Sequence, residues 1–353
     1  MAYTTINKST DHFNTKTYTG TGSSLALTGL GFQPDIVWQK VRSTTSSHRI
    51  TDVVRGTGQV IYPNDTAQQS AENAVTAFGT DGFTVGTGNS NAYNANGATY
   101  VAWSWKAGNS QGSSNTDGTI NTTYTSVNTT AGISISTYTG NSTQGATLGH
   151  GLGVAPKAII IKSYTNAEQW VIGHNEMNST NAWDYFMQFT SAARAQNNNR
   201  FGNVYPTSSV FTLGNEDQVN SSSKSYVAYC FAEKTGFSKF GKYSGNVNLN
   251  GPFIYTGFKP AWVMIKCVGL ANQAWTIFNN GLDSFNEMTN TLQANSTSAE
   301  DGNTTYNDID FVSNGFKIRE DNDNINATGQ DYIYMAFAEA PLVGSNNVPC
   351  TAR

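Results

Sequence analysis

Four histidines and one acidic loop are the residues of this 353-residue chain whose types could support catalysis or metal binding. The histidines are His12, His48, His150 and His174, and no two of them have the i, i+4 spacing of a helical zinc site. None has an obvious nucleophile as a partner in the sequence. We therefore interpret all four as ordinary surface or turn residues, and we predict no catalytic residue, no metal site and no cofactor.

The acidic loop runs from Glu320 through Asp321, Asn322 and Asp323 to Asn324. It places several side-chain oxygens close together, and oxygen is the ligand that Ca²⁺ prefers, but it lacks the glycine and terminal glutamate of an EF-hand loop. Comparable loops elsewhere in the chain read GTGNSNAYNANGA and GNEDQVNSSSK. A solvated loop is the favoured interpretation, and calcium binding near Asp321 stays open as the alternative.

Composition and charge argue against nucleic-acid binding. Only 12% of the residues are charged, the formal net charge is −4, and the chain contains no block of lysine and arginine. A polyphosphate backbone needs a cationic surface that this sequence does not supply. The abundance of Gly, Ser, Thr and Asn instead favours strands and turns over long helices.

The first residues, MAYTTINKSTDHF, resemble no secretory signal, and no stretch approaches the roughly 20 apolar residues that span a bilayer. We therefore expect a soluble protein that is made in a cytoplasm and does not insert into a membrane. The three cysteines, Cys230, Cys267 and Cys350, form an odd set without metal-ligand spacing, so no disulfide framework is predicted.

Three blocks of the sequence carry the same motifs in the same order, which is the signature of an internal repeat. Each block opens with an aromatic turn motif, Tyr18-Thr19-Gly20, Tyr138-Thr139-Gly140 or Tyr243-Ser244-Gly245, followed by a Gly-x-x-Pro turn. A lysine lies six residues after each of these prolines, at Lys40, Lys162 and Lys266. Phenylalanine-centred motifs at Phe83, Phe211 and Phe316 then precede the terminal segments YVAWSWKA, YVAYCFAE and YIYMAFAE.

These blocks predict three tandem domains at residues 1–110, 131–235 and 236–343, with a polar linker at 111–130 and a tail at 344–353. We expect each domain to enclose its own hydrophobic interior, and three such units in series to make an elongated molecule. The fold class that we predict is all-β, with antiparallel, jelly-roll-like β-sandwiches.

The parity of side chains within the motifs supports strands. In the first terminal segment Val101, Trp103 and Trp105 share one face that is large and predicted to be buried, whereas the opposite face is mostly small. The run after each Gly-x-x-Pro turn is continuously apolar, which indicates a central strand covered on both sides. Each phenylalanine-centred motif is predicted to form an antiparallel hairpin with the terminal segment that follows it.

Other conspicuous side chains have structural interpretations. Trp38, Trp103, Trp105 and Trp262 could stack on sugars, but their strand settings favour core packing. Cys230 occupies a position that is Ser104 and Ala336 in the other blocks, so it marks a small buried site. Each strand-closing lysine could bridge to a carboxylate or merely end its strand, and we favour a structural role.

The first block resembles a poorly characterised domain found in virion and tail-fibre proteins of marine tailed phages, especially cyanophages. The resemblance rests on Gly31–Trp38, on the DVVRG segment Asp52–Gly56, on Asp81-Gly82-Phe83 and on Thr99–Lys106. The other two blocks lack DVVRG and the tryptophan pair. The resemblance implies a lectin-like, concanavalin A-type jelly roll with a structural or adhesive role, and it brings no catalytic residues.

Three functions compete at this point. The leading one is a non-enzymatic component of the virion exterior, either a capsid decoration protein or a tail or fibre protein that contacts other virion proteins. The second is an adhesin whose loops bind host surface glycans. The third, a depolymerase, needs two carboxylates across a sugar bond, yet Asp35, Lys157 and Ala261 share one slot of the repeat. A homo-oligomer is expected, with a trimer suggested by analogy with fibres.

Overall fold

The computed structural model describes residues 4–88, 91–302 and 308–341. These residues form an all-β protein, as the sequence predicts. Helix is limited, within these residues, to two 3₁₀ turns at Ser9–Asp11 and Ala182–Asp184 and one short helix, α1, at Asp217–Asn220. None of the described helices is long and apolar enough to cross a membrane.

The strands fall into three groups that we call repeats 1, 2 and 3. Repeat 1 contains β1 Phe13–Thr19, β2 Leu25–Thr28, β3 Ile36–Val41, β4 Arg49–Asp52, β5 Gln59–Val60, β6 Ser70–Ala71, β7 Ala77–Gly79, β8 Gly82–Val85 and β9 Thr99–Trp105. Repeat 2 contains β10 Tyr124–Asn128, β11 Ile133–Thr139, β12 Ala146–Gly149, β13 Ala158–Ser163, β14 Val171–His174, β15 Tyr185–Phe186, β16 Ala195–Gln196, β17 Val210–Leu213 and β18 Ser225–Phe231. Repeat 3 contains β19 Ser238–Ser244, β20 Phe253–Tyr255, β21 Phe258–Cys267, β22 Thr276–Asn279, β23 Leu292–Gln293, β24 Ile309–Val312, β25 Gly315–Ile318 and β26 Asp331–Pro341.

Each repeat has a large antiparallel sheet in which four equivalent strands keep the same order, and repeats 2 and 3 each add one edge strand, β10 or β23. The orders are β1-β9-β3-β4, then β10-β11-β18-β13-β14, then β19-β26-β21-β22-β23. The strand after each Gly-x-x-Pro turn lies inside its sheet, and all six residues of β3 and of β13 are buried. The prediction of a central strand covered on both sides is therefore confirmed.

The segment predicted to be a polar linker contributes to the second sheet. Within 111–130, β10 pairs with β11 in an antiparallel register that aligns Ser126 with Ile135. This segment is therefore an additional edge strand of repeat 2 and not a free spacer. Its polar composition concealed the pairing, since edge strands need only one apolar face.

A smaller antiparallel sheet lies over one face of each large sheet, which makes each repeat a two-sheet sandwich. The small sheets have the orders β2-β8-β7, β12-β17 and β20-β25-β24. The predicted hairpins are wrong, because Phe83 of β8 pairs with Leu27 of β2 and not with the terminal strand β9. The loop after β8 instead crosses from the small sheet to the large one.

An asparagine holds this crossing loop in every repeat. The side chains of Asn94, Asn220 and Asn326 are fully buried, and each donates to a carbonyl one or two residues after the small-sheet strand, at Gly86, Gly214 or Glu320. Each amide oxygen also accepts the backbone N–H just after the aromatic turn motif, at Thr21, Asn141 or Asn246. These asparagines explain why the loop crosses between sheets instead of closing a hairpin.

The two faces of the terminal strands have different partners. Tyr100 and Ala102 pack between the two sheets of repeat 1, whereas Val101, Trp103 and Trp105 belong to a core shared with the other repeats. Repeat 3 follows the same division, with Tyr332 between its sheets and Phe337 in the shared core. The predicted large, buried face is thus confirmed.

The large faces of all three repeats meet in one common core. Trp103 lies 6.3 Å from Trp262, and Trp38 lies 5.8 Å from Phe189, measured between ring centroids. Phe231 and Phe337 join repeat 2 to repeat 3 at 6.0 Å. Repeats 1 and 3 each enclose an interior of their own between their two sheets, as expected. The expectation fails for the large outer faces, which the neighbouring repeats cover, and for repeat 2, whose interior is continuous with this shared core.

The molecule is also not elongated. Its accessible surface is 12599 Å², below the roughly 13,900 Å² that the area-to-mass relation gives a single compact protein of 38.0 kDa. Three units joined in series would expose more surface than this. The domain boundaries at 110, 130 and 235 stay predictions, and the boundary at 343 lies outside the described residues.

Candidate functional site

The strand-closing lysines join the repeats to one another. All three are fully buried, and none forms an ion pair with a carboxylate of the described residues. Each Nζ donates to a backbone carbonyl of a different repeat: Lys40 to Thr297 at 3.4 Å, Lys162 to Thr66 at 2.7 Å and Lys266 to Ser191 at 3.4 Å. Each also donates to a carbonyl of its own repeat, at Val41, Glu168 and Gln273. The lysines therefore connect repeat 1 to 3, repeat 2 to 1 and repeat 3 to 2.

A second set of contacts follows the same cyclic order. An aromatic residue directly precedes each of the equivalent strands β4, β14 and β22. Its ring nitrogen forms a hydrogen bond with a backbone carbonyl of the neighbouring repeat. The pairs are His48 Nε2 with Gln293 at 2.9 Å, Trp170 Nε1 with Tyr62 at 2.8 Å and Trp275 Nε1 with Gln188 at 2.8 Å. The histidine thus stands where the other repeats have tryptophan.

The environment of His48 determines its protonation state. Trp38 Nε1 donates to His48 Nδ1 at 2.9 Å, so the ring proton lies on Nε2, which donates to the Gln293 carbonyl. Burial lowers the pKa of His48 well below its usual value. The histidines were expected at the surface or in turns. His48, His150 and His174 are buried, so the surface position is wrong for them, although His48 and His150 do lie in loops next to β4 and β12.

A third set of contacts starts at the last residues of the equivalent strands β4, β14 and β22. These contacts follow the opposite cyclic order, from repeat 1 to 2, from 2 to 3 and from 3 to 1. Tyr229 donates its hydroxyl to Asp52 Oδ2 at 2.6 Å, His174 Nε2 lies 3.2 Å from the Tyr334 carbonyl, and Asn279 Nδ2 donates to Thr15 Oγ1 at 2.8 Å. Burial lowers the pKa of His174 to about 4, so this ring is neutral at physiological pH. Every repeat therefore contacts both others, and the three repeats close into a ring.

Backbone hydrogen bonds repeat at the same three junctions. The loop N–H groups of Glu300, Gln69 and Arg194 donate to the carbonyls of Arg42, Tyr164 and Val268 at 2.9, 3.1 and 3.0 Å. At the first junction Arg42 also forms a bidentate ion pair with Glu300, with N···O distances of 2.6 and 2.8 Å. Directed contacts of this kind fix the orientation of one repeat against the next, which apolar packing alone does not.

The DVVRG segment has a structural explanation at the junction of repeats 1 and 2. Arg55 pairs with Asp52 at 2.6 Å, and both side chains are almost completely buried. Arg55 also donates to the Ile50 carbonyl at 3.0 Å, while Asp52 receives the Tyr229 hydroxyl. In repeats 2 and 3 the uncharged His174 and Asn279 occupy the position of Asp52, so there is no carboxylate at this position for an arginine to neutralise.

The central core contains a small cavity where the three repeats meet. Its volume is about 30 Å³, and its lining is apolar and comes from every repeat, including Trp38, Trp105, Ile160, Trp170, Trp262 and Met335. Trp38, Trp103, Trp105 and Trp262 are all buried, which confirms core packing over sugar stacking. Such a cavity offers no polar group to a substrate.

The charge of the junction lysines should make stability depend on pH. Burial lowers the pKa of Lys40, Lys162 and Lys266 to about 8 in the folded protein, against about 10.5 in the unfolded chain. Between these values the unfolded state binds more protons, so we expect the free energy of unfolding to rise with pH, by about 1 kcal/mol per pH unit for each lysine. A lysine that has lost its proton still has two N–H groups, which are enough to donate to its two carbonyl partners.

Urea unfolding at pH 7.5, 8.0 and 8.5 measures this slope. Lys162→Met should remove about a third of it, whereas Lys8→Met, which changes an exposed lysine, should leave it unchanged. The range ends at pH 8.5 because burial raises the pKa of Cys230 and of tyrosines such as Tyr226, to about 12 in both cases, and these groups act in the opposite direction once the unfolded chain begins to lose their protons. A free energy of unfolding that does not change with pH in the unaltered chain would contradict the lowered pKa of the three lysines.

An open polar cleft lies on repeat 1, with a volume of about 510 Å³. Its lining consists of Arg49, Gly58, Gln59, Ala71, Glu72, Asn73 and Tyr93. Tyr93 belongs to the first of the three loops that the sequence analysis compared. The cleft therefore combines amide, carboxylate, guanidinium and phenol groups, which are the groups that hydrogen-bond sugar hydroxyls.

A charged network holds the wall of this cleft. Arg49 Nε pairs with Glu72 Oε2 at 2.6 Å, and the guanidinium lies 5.5 Å from the centre of the Tyr62 ring. Tyr62 in turn donates its hydroxyl to Glu72. Val171 and Thr276 occupy the position of Arg49 in the other repeats, so the network is specific to repeat 1.

The remaining candidate residues take part in local structure. In the acidic loop the side-chain oxygens of Asn322 and Asn324 accept backbone N–H groups at 2.8 and 2.9 Å. No group of three His, Cys, Asp or Glu residues in the described ranges has the arrangement of a metal site, and calcium binding near Asp321 stays an untested alternative. Asp35 accepts the backbone N–H groups of Ala107 and Asn109 at 2.6 and 2.9 Å.

The described cysteines are free thiols inside the sheets. Cys230 and Cys267 are both buried, and burial raises the pKa of Cys230 to about 12, which disfavours the reactive thiolate. The prediction that Cys230 marks a small buried position is confirmed. Cys350 and the predicted tail at 344–353 lie outside the described residues.

Sequence reasoning missed the three crossing-loop asparagines and the loop carbonyls at the junctions. The asparagines had a usable signal, because each lies six residues before the leading tyrosine of its terminal strand, as Asn94 does before Tyr100. The acceptor carbonyls had no such signal, because every residue type carries a backbone carbonyl and the sequence does not show which one accepts a hydrogen bond.

The fold and its junctions define an all-β protein in which three sandwich repeats close into one ring. The chain belongs to the family described as a domain of unknown function, DUF7483, whose model matches residues 8–341. That single match spans all three repeats, in agreement with their common core. No curated protein and no solved structure shows significant similarity to the chain.

Proposed function

We propose that this protein is a non-enzymatic component of the exterior of a tailed-phage particle, attached to the capsid or to the tail. The phage assignment rests on the resemblance of the first block to virion and tail-fibre domains. The observation that best supports a structural role is the ring of junctions, in which Lys40, Lys162, Lys266, His48 and His174 are all used to hold repeats together. Groups that could do chemistry elsewhere serve here as internal connectors.

A rigid ring is well suited to a particle surface. Twelve or more directed contacts across the junctions keep the loops of the three repeats in fixed relative positions. Other virion proteins are the proposed partners. We also propose that the protein forms a homo-oligomer. A trimer was suggested by analogy with fibres, but a threefold set of contacts already exists between the three repeats of a single chain.

Electron microscopy of particles that carry a labelled copy of this protein tests the proposal. We expect the label at regular positions outside the capsid shell or along the tail, with unlabelled particles as the control. If purified particles contain none of the protein, the proposal fails.

The polar cleft of repeat 1 favours a second candidate function, binding of host surface glycans. On a glycan array, Gln59→Ala and Asn73→Ala should each weaken binding at least tenfold, because each removes an amide from the cleft lining. Gln144→Ala, at an exposed position of repeat 2, is the matched control and should bind normally. Absence of binding by the unaltered chain to any glycan and to host cells would exclude this candidate.

A further inference from the structure

Repeat 3 carries an unusual group of exposed apolar side chains around strand β20. Val247, Leu249, Phe253 and Tyr255 are 46%, 61%, 47% and 55% exposed. Residues 245–258, which contain this group, include no charged side chain. Proteins normally protect an exposed strand at the edge of a sheet with charges or with a covering segment. We therefore expect another polypeptide segment to cover this edge.

Among the described residues, no strand pairs with the outer edge of β20, so this edge can form a further ladder. Pro252 accepts from Ile318 at 3.0 Å and Thr256 donates to Asn314 at 3.0 Å, so the even-numbered residues face β25. Because successive residues of a strand direct their backbone groups to opposite sides, Phe253 and Tyr255 present theirs to the outer edge.

The equivalent edge in repeat 2 is already occupied. Leu148 of β12 and Ile254 of β20 face the corresponding residues Phe211 and Phe316, which makes Thr147 the counterpart of Phe253. Thr147 accepts the N–H of Ile120 at 3.0 Å and donates its own N–H to Thr119 Oγ1 at 2.8 Å. An extended segment that precedes repeat 2 therefore covers this edge.

Repeat 3 has no such preceding segment. It follows repeat 2 through a short turn in which Phe237 donates to the Lys234 carbonyl at 2.9 Å, so no connecting chain is left to cover β20. In repeat 1 the corresponding edge residues, Ala26 and Thr28, are exposed but small. Among the described strands β2, β12 and β20, only β20 combines an unpaired outer edge with large aromatic side chains.

We propose that β20 pairs with β20 of a second copy of this chain, so that two rings form a dimer through one continuous sheet. In an antiparallel twofold pairing, Phe253 lies opposite Tyr255 of the second copy, and the outward backbone groups of both residues become satisfied. The aromatic side chains then meet across the strands on one face. The lack of charge in residues 245–258 leaves no repulsion between identical edges, and the arrangement does not depend on the proposed virion role.

Light scattering after size exclusion tests this pairing on the full chain. We expect twice the chain mass of 38.0 kDa for the unaltered protein, and the single mass for the Phe253→Lys/Tyr255→Lys variant. A Tyr124→Lys/Tyr205→Lys variant, which alters two exposed tyrosines of repeat 2, is the matched control and should stay dimeric. A monomeric native chain at about 100 µM, or a dimer that survives the β20 substitutions, overturns the proposal.

Hydrogen exchange separates pairing between copies from other coverings of the same edge. The amides of Phe253 and Tyr255 should become at least tenfold slower to exchange as the protein is concentrated through the dimerisation range. The amides of Ala26 and Thr28 should not change. Protection of Phe253 and Tyr255 that is independent of concentration would show that the chain covers its own edge, and the proposal would then be wrong.

Discussion

Residues 131–235, produced alone, are expected not to form a stable folded monomer. In the complete chain this repeat places Ile160, Trp170, Tyr229 and Phe231 against the other two repeats. Alone, it would expose these side chains, each of which contributes about 1.5–3 kcal/mol when buried. That loss is comparable to the entire stability of a domain of this size.

Circular dichroism and urea unfolding of the fragment measure this effect. A longer fragment, 113–235, retains β10 and the segment that covers β12, and it should also fail, which would show that the exposed face and not a missing edge strand is responsible. Mixing fragments 1–130 and 131–353 should restore cooperative unfolding, because the junction contacts need no covalent connection. A monomeric fragment 113–235 with a two-state transition would instead support three independent domains.

Replacing Arg55 by methionine is expected to lower the free energy of unfolding by about 3–5 kcal/mol. The substitution removes the partner of Asp52 and leaves a buried carboxylate without its counter-charge. The effect should extend to the junction of repeats 1 and 2, because Asp52 also holds the Tyr229 hydroxyl. Urea unfolding at pH 7 provides the measurement.

A double-substitution cycle with Asp52→Asn identifies the cause of this loss. The Arg55→Met/Asp52→Asn variant should be more stable than Arg55→Met alone, since no unpaired charge remains buried. Lys259→Met is the matched control, because it breaks a more exposed ion pair, that with Glu339, and should cost less than about 1 kcal/mol. Equal effects of Arg55→Met and Lys259→Met would show that the buried pair has no special role.

The repeat pattern was the most informative part of the sequence. The offset of six residues from proline to lysine located equivalent positions in all three repeats, and those lysines proved to lie at the junctions. Their structural role was favoured in advance, but their acceptors were not predictable. Thr297 lies 257 residues from Lys40, and it contributes only a backbone carbonyl.

The histidines show why residue type alone misleads. Scattered histidines usually lie at the surface, yet His48 occupies a position that is tryptophan in the other repeats. A comparison of the three repeats at the residue before β4, β14 and β22 would have indicated a buried ring. The polar cleft could not be predicted in the same way, since Arg49, Asn73 and Tyr93 come from separate segments of repeat 1.

The sequence by itself determined the strands, the two faces of each strand and the threefold repetition of the pattern. These are local properties, because side chains alternate along a strand whatever the strand later contacts. Tertiary structure alone decided what covers the large faces. An apolar face indicates that it must be buried but not against which partner. Here Trp38, Phe231 and Trp262 pack together across the repeats, in a shared core that lies beside the separate interiors of repeats 1 and 3.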